Sequence, residues 1–146
     1  MRIRDVIAAK GRRVETVWPT QSVRDIPKLF MDRNLASVVV ITTDNRPVGI
    51  ITDRNLLAAM ARPEGHLSGI AARDIMTSPV PICGMDDGVV AMLTHMTHER
   101  IRHLVVMDDG RMAGIVSIGD LVKHRFQDTD MEMRILRDMA FAHMAV

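Results

Sequence analysis

The chain of 146 residues carries a net charge of +1, with 47% hydrophobic and 25% charged residues. That is the composition of an ordinary globular protein, long enough to bury a core as one domain or two intimate halves. Near-neutral charge removes the electrostatic case for nucleic acid or an anionic membrane surface, and four aromatic residues, Trp18, Phe30, Phe126 and Phe141, offer no base-stacking platform. The lone Cys83 allows no internal disulfide or thiolate metal cluster, no apolar run reaches membrane-spanning length, and Met1-Arg2-Ile3-Arg4-Asp5 holds no signal-peptide core. A cytoplasmic location is expected.

Residues 3–10 are expected to form a short helix, with Ile3, Val6 and Ile7 on one side and Gly11 as its stop. Val14 to Val17 alternates like a short strand. Pro19-Thr20-Gln21-Ser22 opens a helix with the stripe Val23, Ile26, Phe30 and Met31, and Pro27 predicts an irregular first turn. The β-branched run Ser37 to Thr42 reads as a strand buried on both faces, and a turn leads to a second strand, Val48 to Ile51. A helix from Asp53 to about Ala61 follows, then a breaker-rich linker, Arg62-Pro63-Glu64-Gly65-His66.

The order then repeats. Arg73-Asp74-Ile75-Met76 echoes Arg4-Asp5-Val6-Ile7, Val80 to Cys83 is the short strand, and Asp86 to His98 is a helix capped by Asp86 or Asp87. His103-Leu104-Val105-Val106 matches Ser37-Val38-Val39-Val40, and an offset of about 65 residues carries Gly49 onto Gly114. Gly49-Ile50-Ile51-Thr52-Asp53-Arg54-Asn55 and Gly114-Ile115-Val116-Ser117-Ile118-Gly119-Asp120 both run a strand end into a hydroxyl, with an acid or amide three places on. That spacing caps a helix N-terminus, which also favours anions. Each half is too small to hide its sheet alone, so the halves should pack together about a pseudo-two-fold axis.

Together, in order and twice, these segments resemble a tandem CBS-domain pair, the regulatory module named after cystathionine β-synthase. The carrying residues are Lys10 to Val17, Ile101 to Val106 and the two segments running from glycine to aspartate or asparagine. The resemblance implies an α/β (α+β) fold of two pseudo-symmetric repeats, each a small three-stranded sheet with helices, packed as one module. The expected divisions are repeat 1 over 1–62, a linker over 63–69, repeat 2 over 70–127 and a C-terminal helix over 128–146.

Similar pairs bind adenine nucleotides in two clefts between the repeats. The resemblance assigns one cleft to Lys10, Gly11, Thr16, Leu35, Ala36, Ser37, Arg102, His103, Ile115, Ser117 and Asp120. Asp120 would accept from the ribose hydroxyls, and Arg102 and His103 would hold phosphate. The other, weaker cleft would use Ile50, Thr52, Arg54, Asn55, Met76, Thr77, Ile82 and Ile101. There Asn55 departs from the pattern, offering one acceptor and no charge where an aspartate would read the ribose; on this reading Asn55→Asp strengthens binding.

Plainer readings stand beside these: Asp120 as a cap, Arg102-His103 as a solvated strand start, His95 and His98 as an ordinary helix surface without a third metal ligand. The acidic pairs at 86–87 and 108–109 fit a helix cap and a hairpin turn, and the thirteen methionines fit core filler. The expected function is a non-catalytic sensor that binds AMP, ATP or NAD and signals through shape or association, with no catalytic cofactor and no metal. Its expected partners are a second copy, through the apolar side of the C-terminal helix, and an unidentified regulated protein. The alternative is an interaction scaffold with vestigial clefts; an enzyme ranks third, because structure already explains each candidate acid and nucleophile.

Overall fold

The computed structural model describes residues 1–63 and 65–144. Two three-stranded sheets carry the fold, built in the same way. In the first, β1 (Thr16–Val17) pairs parallel with β2 (Ser37–Ile41), which forms an antiparallel hairpin with β3 (Pro47–Thr52). In the second, β4 (Ile82–Gly84), β5 (His103–Asp108) and β6 (Arg111–Ser117) repeat that order. Even the irregularity is duplicated: the register shifts at Val40/Ile41 and again at Val106/Met107.

The central strands are apolar at consecutive positions because both faces are covered. Val38 and Val40 turn to one helical core, Leu104 and Val106 to the other. Val39, Ile41 and Val105 form a third cluster between the sheets, joined by Val14 and Ile115. A strand alternates its side chains with period two, so one β-branched run serves both layers.

The helices are α1 (Ile3–Lys10), α2 (Ile26–Arg33), α3 (Asp53–Met60), α4 (Ala72–Ile75), α5 (Val89–Glu99) and α6 (Ile118–Met144). The repeats exchange their first helices. Ile3, Val6 and Ile7 are buried in the second core among Cys83, Met96, Leu104 and Leu121, while Ala72 and Ile75 lie in the first core beside Phe30 and Leu56. Backbone bonds fix the exchange: the Ile3 amide donates to the Asp87 carbonyl at 2.9 Å, and the Ala72 amide donates to that of Gln21 at 2.8 Å. Full burial of three such side chains contributes roughly 5–9 kcal/mol, an amount comparable to the stability of a whole domain. Neither sequence repeat is therefore a separate packing unit. Gly49 and Gly114 admit the exchanged helices at close range; a Cβ on Gly114 would meet Ile7 Cδ1 at 2.7 Å, and one on Gly49 would run into Met76.

Several expectations are corrected in detail. Pro27 does sit behind an irregular turn: residues Val23–Asp25 are 3-10 helix, and the proline falls in the first turn of α2, where its missing N–H costs nothing. Met31, assigned to the buried stripe by spacing, is 83% exposed. Helix α5 starts at Val89 with Gly88 as its cap, because Asp86 pairs with Arg4 and Asp87 braces the preceding turn by accepting from the Gly84 amide at 2.7 Å. The C-terminal segment is no separate helix: α6 runs unbroken for 27 residues, roughly 40 Å.

Candidate functional site

The first cleft is built where β6 passes into α6. The Ser117 amide donates to Asp120 Oδ2 at 2.8 Å and the Asp120 amide donates to Ser117 Oγ at 3.0 Å, the reciprocal cap that the spacing predicts. Lys10, at the end of the exchanged helix, adds its ammonium, which donates to Asp120 Oδ2 at 2.6 Å and to the Ile115 carbonyl at 2.9 Å. Both bonds that the Asp120 carboxylate accepts, from Ser117 and from Lys10, fall on Oδ2; its Oδ1 accepts none from the described residues. Burial pushes the Asp120 carboxyl up, but the Lys10 ammonium and the Ser117 groups outweigh it and hold the acid below its ordinary range. An ionised carboxylate with an uncommitted oxygen therefore faces a cavity of about 760 Å3.

Of the residues assigned to this cleft, the structure gathers Lys10, Gly11, Leu35, Ala36, Ser37, His103, Ile115, Ser117 and Asp120. Thr16 does not line it but lies exposed on β1, and Arg102 lines the second cleft instead. Arg13, Glu15, Arg33 and Asn34 also line the cavity. Glu15 accepts from Arg13 at 2.8 Å and from Arg33 at 2.6 Å, so one carboxylate holds both guanidinium groups. Strand alternation is the signal that finds two of them: Val14 packs between the sheets, so Arg13 and Glu15 turn the other way.

The second cleft, of about 360 Å3, lies where β3 passes into α3. Ile50, Thr52, Arg54, Asn55, Thr77 and Ile101 line it as assigned, joined by Asp53, Ala58, Pro81, Arg100, Arg102 and His103. Met76 and Ile82 do not line it. Met76 packs over Gly49, and Ile82 is 56% exposed on β4. The Asn55 side chain is fully engaged. Its Oδ1 accepts from the Thr52 amide at 2.8 Å and the Thr52 hydroxyl at 2.9 Å, and its Nδ2 donates to the Ile75 carbonyl at 3.0 Å and to Thr77 Oγ1 at 3.2 Å. An amide has two donors and about two acceptor sites, so this one is saturated. Asn55 ties α3 to the exchanged helix of the other repeat.

Both clefts share His103. Its Nδ1 is buried without a hydrogen-bond partner among the described residues, and burial, reinforced by Lys10, pushes the imidazole below its ordinary range. The ring is neutral at pH 7.

Comparison with known proteins agrees with this arrangement, for the CBS-domain model matches residues 3–62 and 72–126. The chain belongs to the CBS-domain family. A CBS-domain-containing protein from Agrobacterium tumefaciens is 34% identical and superposes with a TM-score of 0.81 over 86% of this chain and 99% of the other. A CBS-domain protein from Pyrobaculum aerophilum, whose structure is a complex with AMP, is 26% identical with a TM-score of 0.71 over 82% and 89%. An uncharacterized protein of Methanopyrus kandleri is 32% identical over 113 residues, 77% of this chain; the chain spans 58% of that relative's length.

Outside the two clefts, the cysteine, acidic pair and histidine pair singled out in the sequence have structural surroundings. Cys83 is buried in the second core, and burial pushes its thiol up to about 12. Asp108 and Asp109 form the β5–β6 hairpin, and His95 and His98 are exposed on α5. No group of three or more metal-ligating side chains occurs among the described residues, and none of their helices is long and apolar enough to cross a membrane.

Proposed function

We propose that this CBS pair is a non-catalytic sensor that binds an adenine nucleotide, AMP, ATP or NAD, in the Asp120 cleft and signals through a change of shape or association. The observation that carries this reading is the ionised Asp120, whose Oδ1 accepts from no donor among the described residues, lining a cavity large enough for a nucleoside. A carboxylate is a strong acceptor for a ribose diol. The AMP complex of the Pyrobaculum relative supports the choice of ligand class. The wall of the cleft comes from both repeats: Leu35 and Ser37 from one, Ile115 and Asp120 from the other. A ligand there bridges the repeats, and the conformation with the tighter cleft gains the difference in binding energy.

A role in association rests on α6. Beyond Asp128 its side chains are all exposed, including Met131, Met133, Ile135, Leu136, Met139 and Phe141. Val122, Phe126, Met133, Leu136 and Ala140 follow one another at steps of four, seven, three and four residues, a stripe suited to a second helix. We infer a homodimer formed through this helix; the same surface supports the second reading, an interaction scaffold recognising a regulated protein. A thermal-shift screen over AMP, ATP and NAD separates the two. The sensor reading expects the melting temperature to rise with at least one nucleotide and not in Asp120→Ala. A flat response to all three favours the scaffold.

A further inference from the structure

We propose that Lys10 is a releasable latch on the Asp120 cleft, displaced by the ribose of a bound ligand so that the end of the exchanged helix α1 comes free. The inference rests on the nucleotide reading above and names the part that moves.

The duplication lets the two clefts be compared atom by atom. In each, the exchanged segment of the other repeat holds a strand carbonyl and the side chain three places after the capping hydroxyl. At the Asn55 cleft that hold is fixed. Helix α4 stops at Ile75, the chain turns extended at Met76, and Thr77 bridges the edge of β3. The Thr77 amide donates to the Ile50 carbonyl at 2.8 Å, and the Ile50 amide donates to the Thr77 carbonyl at 3.1 Å. Asn55 donates to the Ile75 carbonyl at 3.0 Å and to Thr77 Oγ1 at 3.2 Å.

At the Asp120 cleft one side chain holds both places. Helix α1 runs on to Lys10, and among the described residues no backbone bond joins it to Ile115. The Lys10 ammonium stands in for that bond, donating to the Ile115 carbonyl at 2.9 Å and to Asp120 Oδ2 at 2.6 Å. Beyond it Gly11 leaves the helix at φ 99°, a conformation that favours glycine, and a Cβ there would meet nothing within 4 Å. One cleft is therefore clamped by a backbone bridge, the other by an ammonium on a flexible stem beside an unpacked glycine.

Ligand and latch compete for one oxygen. A vicinal diol pairs most fully with a carboxylate when each hydroxyl donates to its own oxygen, as the two arms of a guanidinium do. Oδ1 is open, but Oδ2 already accepts from the Ser117 amide and from Lys10, which fills its two lone-pair sites. The Ser117 amide is fixed by the cap, so the second hydroxyl takes the place of Lys10. The paired side chains are 36% and 29% exposed, and a partly exposed ion pair is weak enough to be replaced. Release uncouples α1 from the β6–α6 junction and passes through Gly11 towards β1 of the first repeat.

Titration calorimetry and hydrogen exchange on the full chain test this, with adenosine and 2′-deoxyadenosine as probes of wild type and Lys10→Met. Methionine keeps an unbranched stem and the helix propensity and removes the ammonium. Lys10→Met should bind adenosine about three- to fivefold more tightly than wild type, the worth of a partly exposed ion pair. It should gain nothing for 2′-deoxyadenosine, which lacks the second ring hydroxyl. In wild type, adenosine should speed amide exchange over residues 8–13 to the rate that Lys10→Met shows without ligand. Adenosine bound equally or more weakly by Lys10→Met, equal tightening of both nucleosides, or unchanged exchange over that segment overturns the latch and leaves the nucleotide reading standing. Adenosine that binds neither protein overturns both.

Discussion

Replacing Asn55 with aspartate separates an account based on residue type from one based on the structure. From the sequence alone the change supplies the missing ribose acceptor and should improve binding. In the structure, the atom replaced is Nδ2, which donates to the Ile75 carbonyl at 3.0 Å and to Thr77 Oγ1 at 3.2 Å. Thr77 can rotate its hydroxyl and donate to the new oxygen, but the Ile75 carbonyl cannot. A carboxylate oxygen would then lie against a carbonyl oxygen in a half-buried position. Losing one bond of about 0.5–1.5 kcal/mol and adding that repulsion gives a loss of about 1–3 kcal/mol, at least equal to that in Asn55→Ala. Urea unfolding of wild type and both variants at pH 7 measures it. The protonated acid can donate to Ile75 again, so the folded pKa of the new carboxyl should lie above its unfolded value. Stability relative to wild type should then recover as the pH falls towards about 4. An Asn55→Asp protein as stable as wild type at pH 7, or one that gains nucleotide affinity, would refute the reasoning.

Asp120 titrates in the opposite sense: its folded pKa is depressed below the unfolded value, so its contribution is present above the unfolded pKa and is lost as the pH falls through the folded one. The acid limb of a stability–pH curve should accordingly be shallower in Asp120→Asn than in wild type. Gly49→Ala should destabilise the fold by about 1–3 kcal/mol in chemical denaturation, and by more than Gly114→Ala, because the new Cβ meets Met76 along its stem, whereas at Gly114 it meets only the tip of Ile7. A chain ending at Gln127 should scatter light as a monomer where the full chain scatters as a dimer; a truncated dimer would remove α6 from the interface.

Elements legible in the sequence were those whose signal is local. The apolar runs at 38–40 and 104–106, the breaking effect of Pro27 and the caps Thr52 and Ser117 each follow from residues within a turn of one another. Duplication made the two clefts legible as a pair, and most residues assigned to them do line them. The helix exchange was not legible: the stripe Ile3, Val6, Ile7 states that a face is buried, not which core receives it. Asn55 was misread because its decisive partner is a backbone carbonyl, that of Ile75, which no side-chain pattern marks. The division at 127/128 followed the end of the resemblance, whereas α6 runs through it as one helix.

The central claim is that the ionised Asp120 reads the ribose of an adenine nucleotide, and calorimetric titration of AMP into wild type, Asp120→Ala and Asp120→Asn tests it most directly. The account predicts one site in wild type, weakened in both variants by about 1.5–3 kcal/mol, the worth of a hydrogen bond to a charged group, with the fold intact by circular dichroism. Equal AMP affinity in wild type and both folded variants would contradict it.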